Sequence, residues 1–163
     1  MAERAIRLFG DPVLKTPSSA ITSVDDKVRT LIADLLDTVR LPGRAGVAAA
    51  QIGVGLCAFS YNVDGQVGYL INPRIVELGG EPEPMEEGCL SVPGLWFPTL
   101  RHPSATARGT DLDGAEVEVS GTGILAQALQ HETDHLAGML YLDRLDKEHR
   151  REAMRQIRAS DWF

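Results

Sequence analysis

The sequence predicts an α+β fold: antiparallel sheets packed around a central helix that carries a metal-binding H-E-x-x-H pattern. Three observations predict it. Strand-like runs flank the turn signals Asn62-Val63-Asp64-Gly65 and Asp111-Leu112-Asp113-Gly114, which marks two hairpins. Two other segments repeat apolar residues at helical spacing, and one of them contains His131-Glu132-Thr133-Asp134-His135. No repeat, low-complexity tract or linker interrupts the chain, so residues 1–163 read as a single domain.

Residues 1–22 contain Gly10-Asp11-Pro12 and Pro17-Ser18-Ser19, turn chemistry that predicts an arm laid over the body. From Ser23, with Asp26 as an acidic capping-box partner, apolar residues recur at Val28, Leu31, Ile32, Leu35, Leu36 and Val39, an amphipathic helix ending at Leu41-Pro42-Gly43. Gly46-Val47-Ala48-Ala49-Ala50-Gln51-Ile52-Gly53 is a run of small residues over which something could pack closely. Strands follow at about 56–61, 66–71 and, past Asn72-Pro73, 74–78. Residues 79–87, with four glutamates and two prolines, read as an exposed, solvated loop. The second hairpin pairs 105–109 with 116–119. A helix capped by Thr122 or Ser120 then carries the two histidines and closes at Gly138, and a last helix occupies about 147–159.

A net charge of −7 and a pI near 5.0 argue against DNA and anionic membranes as partners, because both require an excess of Lys and Arg. Residues 1–9 lack the apolar core of an export signal and no 18-residue apolar run occurs, which predicts a cytoplasmic protein. Two cysteines do not make a disulfide framework. Cys57 lies in an apolar run and reads as core, whereas Cys89 lies among turn residues and is the candidate for chemistry.

On a helix, positions i and i+4 lie ~40° apart and one turn along the axis, so His131 and His135 can aim at one ion. Glu132 lies ~100° round from His131, where it can reach a water on that ion as a general base. The third ligand decides the chemistry. In the extended metalloprotease pattern Gly138 matches, but Tyr141 stands where the last histidine belongs. Further on, only Glu148, His149 and Glu152 remain, in a charged helix. Upstream, Cys89 offers a thiolate, a strong metal ligand. His102, beside Pro103, reads as a loop residue, so three protein ligands leave a fourth position open and the site reads as catalytic.

Three blocks in this order make the chain resemble the bacterial-type peptide deformylases over essentially its whole length. Residues 46–51 are similar to that family's glycine-alanine-glutamine motif, Glu87-Gly88-Cys89-Leu90-Ser91 is its EGCLS motif unchanged, and His131 to Gly138 is its HExDHLxG motif. The resemblance implies removal of the N-formyl group from formyl-methionyl nascent peptides. It implies one divalent ion on Cys89, His131 and His135, with Glu132 as acid and base, Gln51 and the Leu90 N–H as oxyanion donors, and substrate contacts at Gly46, Val47, Glu87 and Gly88. It also implies Fe²⁺ in the cell, although two histidines and a cysteine suit Zn²⁺ or Ni²⁺ by ligand type. Ile124, Ala128 and, at the edge, Gln127 share the His131 face and are expected to wall a methionine pocket. The motif's acidic residue Asp134 points away from the ion, with Arg101 as its expected partner.

The chain departs from the family at Arg44, where the motif usually has a glycine, and at Gln127, often an apolar position. Two other readings exist. A catalytically silent module of the same fold, docking on the ribosome, has no reason to keep Glu132 beside a full ligand set, and a general metalloprotease lacks its ligand at Tyr141. Arg151, Arg155 and Arg158 form one basic stripe on the last helix, and the resemblance points to ribosome contact through it.

Overall fold

A computed structural model describes residues 2–163. Seven strands and three α-helices follow one another as α1 (Asp26–Val39), β1 (Gly46–Ala48), β2 (Ala58–Val63), β3 (Gln66–Gly79), β4 (Glu83–Cys89), β5 (Val92–Arg101), β6 (Ser104–Thr110), β7 (Glu116–Thr122), α2 (Gly123–Leu136) and α3 (Lys147–Arg158). Five strands form an antiparallel sheet in the order β1-β2-β3-β6-β7, and β4 pairs with β5 in a separate two-stranded sheet. Among the described residues no helix is long and apolar enough to cross a membrane.

Alternation along the strands assigns each face of the large sheet to one helix. Ala58 and Ile71 meet Val28, Leu31, Ile32, Leu35 and Val39 of α1, while their neighbours Phe59 and Leu70 meet Leu125, Ala126 and Leu129 of α2. A third cluster joins Val92 and Phe97 of β5 to Leu140, Tyr141, Leu142, Ala153 and Ile157, which fixes α3 against the small sheet. Helix α2 is therefore covered by the large sheet on one side and by the β4-β5 ribbon on another, and ten of its fourteen residues are buried.

The β2-β3 hairpin turns at Asp64-Gly65, both with positive φ (51° and 79°), as a two-residue I′ turn requires. Strand β3 continues through Asn72, also left-handed at φ 49°, where the register against β6 shifts. The Asn72 amide clamps Ile21 at both N–H and C=O, 2.8 Å each, tying the N-terminal arm to the sheet. That arm is not featureless, since residues 12–15 form a 3-10 turn that buries Leu14.

Three expectations need correction. The cap of α1 is Asp25, which accepts from Val28 N–H at 3.0 Å, rather than Ser23. Neither Thr122 nor Ser120 caps α2 through its side chain, and the Ser120 hydroxyl pairs with Thr106 across β6-β7 at 2.7 Å. The acidic stretch 79–87 is not a solvated loop: from Glu83 it is strand β4, with Glu87 paired opposite Phe97 and buried. At its far end α2 closes as expected. Met139 N–H reaches Asp134 C=O and Gly138 N–H reaches His135 C=O, a Schellman motif with Gly138 at φ 77°. A Cβ on Gly138 would lie 2.8 Å from the Lys15 carbonyl oxygen, so both conformation and space require glycine there.

Candidate active site

Helix α2 supplies His131 and His135, one turn apart, with Glu132 next to His131, beside the end of β4, where Cys89 precedes the turn to β5. The three ligand atoms of Cys89, His131 and His135 lie within 4.8 Å of one another. The His131 and His135 Nε2 atoms are 3.2 Å apart, and Cys89 Sγ lies 3.5 Å from His135 Nε2. A tetrahedral ion with bonds of about 2.0–2.1 Å to nitrogen and about 2.3 Å to sulfur needs separations of about 3.3 and 3.5 Å, so the observed spacing fits one divalent ion.

The polar surroundings fix which atoms face that point. Glu87 Oε2 lies 2.6 Å from His131 Nδ1; the carboxylate accepts, so Nδ1 carries a proton and Nε2 is the nitrogen left to face the point where an ion would bind. Burial would raise the Glu87 carboxyl, but hydrogen bonds from Arg101 and His131 overcome it and hold it down at about 2. Arg101 donates to Glu87 from Nε at 2.8 Å and Nη2 at 2.6 Å, and from Nη1 to Asp134 at 2.8 Å. Asp134 also receives two bonds from Arg144. The chain Arg144–Asp134–Arg101–Glu87–His131 thus runs from the surface to a candidate ligand. It includes the expected Arg101–Asp134 pair.

Burial lowers both imidazoles, yet Glu132 and Cys89 lift His131 well above its ordinary value, while burial and the neighbouring His131 keep His135 well below its own. A cation is what such a concentration of anionic and lone-pair donors favours. Burial first, then Glu87 and Asp134, push Glu132 up to about 7 against the pull of His131 and Arg101, a value suited to moving protons near neutrality. Its Oε1 is buried without a hydrogen-bond partner, which marks room for a group the protein does not itself provide. Gly46 explains the small-residue motif: a Cβ there would meet Glu132 Oε2 at 2.6 Å, so the carboxylate packs directly on the Gly46 backbone.

Gln51 is oriented from behind. Its Oε1 accepts from Ala48 N–H at 3.0 Å, leaving Nε2 turned toward Cys89 Sγ at 3.6 Å and Ser91 Oγ at 3.2 Å. These groups open on a cavity of about 380 Å³. Of the sequence-selected residues, Gly46, Gln51, Glu87, Gly88, Cys89, Leu90, Gln127, Ala128, His131 and Glu132 line it, and His135 lies behind them, nearly fully buried. Val47 is instead buried against α1, and Ile124 stands exposed at the start of α2. Gln127 donates its amide to Glu86 C=O at 2.9 Å and so joins α2 to β4. His102 is a loop residue as expected, bonded to Gly80 C=O.

Sequence reasoning missed four neighbours. Ser91, Leu95 and Trp96 lie along the site, and Tyr141 stacks on His131 at 6.3 Å between ring centroids. Signals existed for two of them: Ser91 closes the EGCLS block, and the place of Tyr141 in the extended motif drew attention to the absent histidine rather than to the ring.

Comparison with known proteins gives a consistent result. A family model described as polypeptide deformylase matches residues 3–151. A peptide deformylase of Acidothermus cellulolyticus is 50% identical over 162 residues, covering 99% of this chain and 89% of that one. Peptide deformylase 1 of Corynebacterium efficiens is 41% identical, covering 100% and 99%. Among solved structures, a peptide deformylase from Legionella pneumophila superposes with a TM-score of 0.90 at 35% identity, over 97% of this chain and 95% of that one. The Ehrlichia chaffeensis enzyme in complex with actinonin gives 0.88 at 32%, over 99% of each.

Proposed function

The chain belongs to the polypeptide deformylase family, and from that premise we propose how its residues divide the work of the reaction. It is a metal-dependent hydrolase that removes the formyl group from the N-terminus of nascent peptides. In our reading residues 1–163 form one catalytic domain in which α2 is the metal-binding element. Cys89, His131 and His135 hold one divalent ion, which when bound supplies Lewis acidity and a water of lowered pKa.

The protein's own groups do the rest. Glu132 accepts the proton of the attacking water and delivers it to the departing amine, a transfer for which its burial and its unpartnered Oε1 prepare it. Gln51 Nε2 and the Leu90 N–H donate to the oxyanion that forms on the formyl carbon, with Gln51 held in place by Ala48. Glu87 keeps His131 in the tautomer that ligates. Gly46, Gly88, Gln127 and Ala128 border the cavity that takes the methionine.

The observation that carries this reading is the convergence of three donors at ligand spacing beside a buried, unpartnered carboxylate oxygen. The test is formate release from a formyl-methionyl tripeptide. Stoichiometric formate with the peptide bonds intact is expected, and internal cleavage or no formate would overturn it. We further propose Fe²⁺ as the cellular ion, with Zn²⁺ and Ni²⁺ also accommodated by the donor set, and a cytoplasmic location.

Ribosome contact through α3 belongs to the same reading. Arg151 and Arg158 are exposed, whereas Arg155 is paired with Glu152 and Arg150 with Asp143. Phosphate contacts would weaken steeply with salt. An Arg151/Arg155/Arg158→Glu variant should therefore cosediment less with ribosomes at low salt while turning over a free peptide normally; equal cosedimentation would remove the proposal.

A further inference from the structure

Trp96 is the most exposed large apolar side chain among the described residues, at 67%. Strand register explains its direction. Phe97, Thr99 and Arg101 of β5 point inward and are buried, so Trp96 must point out. Exposure alone would carry little, because scattered apolar side chains are ordinary on surfaces. Two further facts set this one apart. Its six-membered ring packs on Gly88, where a Cβ would meet ring carbons at 2.7 to 2.9 Å, so the indole sits on the residue preceding Cys89. Trp96 also lines the same cavity as Gln51, Cys89 and Glu132.

The rest of the substrate has to leave that cavity. The reaction takes place at the first residue of a longer chain, so the residues after methionine must pass between the two lips of the opening. Gly43, Arg44 and Ala45 form one lip, and Gly94, Leu95 and Trp96 the other. Arg44 is drawn away from the opening toward α1, where its Nη1 donates to the Thr38 carbonyl at 3.1 Å. The Trp96 lip offers an open aromatic face, next to Gly94, where even an added Cβ would meet nothing within 4 Å.

We infer that Trp96 is a specificity-determining residue that receives an aromatic or large apolar side chain from one of the two residues following formyl-methionine. The inference rests on the deformylase reading above and adds a substrate preference to it. Contacts remote from the reacting bond increase kcat/KM when they help hold the reacting end in place. One offset aromatic pair corresponds to about a three- to tenfold effect.

The test compares formyl-Met-Gly-Gly, formyl-Met-Phe-Gly and formyl-Met-Gly-Phe amides on the wild type and on Trp96→Ala and Trp96→Phe, with formyl-methionine amide as the truncated control. A wild-type preference in kcat/KM of about three- to tenfold for phenylalanine at one of the two positions, lost in Trp96→Ala and kept in Trp96→Phe, is expected. The truncated control sets each protein's own baseline, to which its rates on the three peptides are referred. No wild-type preference, or one that survives in Trp96→Ala, would overturn the inference, as would an equal loss on every substrate. Failure of the wild type to deformylate the truncated control and the peptides alike would instead overturn the deformylase reading itself, and the inference with it.

Discussion

Replacing Arg101 by methionine should destabilise the protein by about 3 kcal/mol, and the reason lies in what the guanidinium touches. Its side chain is 2% exposed and makes two hydrogen bonds to Glu87 and one to Asp134, carboxylates that are themselves 3% and 11% exposed. Removing one partner of a buried ion pair costs about 3–5 kcal/mol because the charge left behind has lost both solvent and partner. The low end applies here, since Glu87 keeps His131 and Asp134 keeps Arg144. For a chain of this length about 2–4 °C of Tm accompanies each kcal/mol, so a fall of roughly 6–12 °C is expected. Chemical denaturation with an unchanged m-value would confirm that the native state is what changed. Arg144→Met is the internal comparison: its side chain is 42% exposed, and loss of its pair should cost about 1 kcal/mol or less. A loss below about 1 kcal/mol in Arg101→Met, or an equal loss in the two variants, would refute the view that the network is a buried support for the site.

Other perturbations separate support from chemistry. Gly46→Ala places a Cβ against the Glu132 carboxylate and should lower kcat by about 10²-fold while ion content and fold are retained, since small misplacements of a catalytic group have effects of that size. The Asp143 carboxyl would be raised by burial, but Leu140 N–H, Arg150 and Lys15 hold it below its ordinary value of 3.8. Its contribution to stability is therefore complete above that value and is lost as pH falls through the lowered one. Asp143→Asn should be less stable than wild type at neutral pH, with the gap in denaturation free energy closing in acid; a gap independent of pH would contradict this. An iron-loaded sample should lose activity in air and be protected by a reductant or catalase, because the half-buried Cys89 sulfur is reached through the cavity it lines and accessible thiolates enter the oxidation ladder first, and indefinite aerobic stability would count against the proposed ion.

The parts of the site that were legible in sequence are those set by local geometry. His131, Glu132 and His135 share one helix, so helical spacing places them, and Cys89 follows once the downstream ligand is missing. Arg101 could be named as the partner of Asp134. Its bidentate partner Glu87 could not, because β4 and β5 bring the two together across a ribbon whose existence the four glutamates and two prolines obscured. Charge in a sequence reads as solvation, and only the register shows that Glu87 is neutralised from both sides. Trp96 was silent for a related reason: no strand was legible at 92–101, and its outward direction depends on which of Trp96 and Phe97 the pairing turns inward. The mistaken caps are of a smaller kind. Ser23 and Asp25 are both good acceptors before a helix, and local sequence does not choose between them.

The central claim is that Cys89 is a ligand and Glu132 a proton carrier. It is tested most directly by measuring bound ion per chain in purified Cys89→Ser and Glu132→Ala proteins by atomic absorption, beside formate release from the same samples. The account predicts that Cys89→Ser loses both the ion and turnover. Glu132→Ala should keep one ion per chain while turnover falls by about 10²- to 10⁴-fold. Full occupancy in Cys89→Ser, or undiminished formate release by Glu132→Ala, would contradict it.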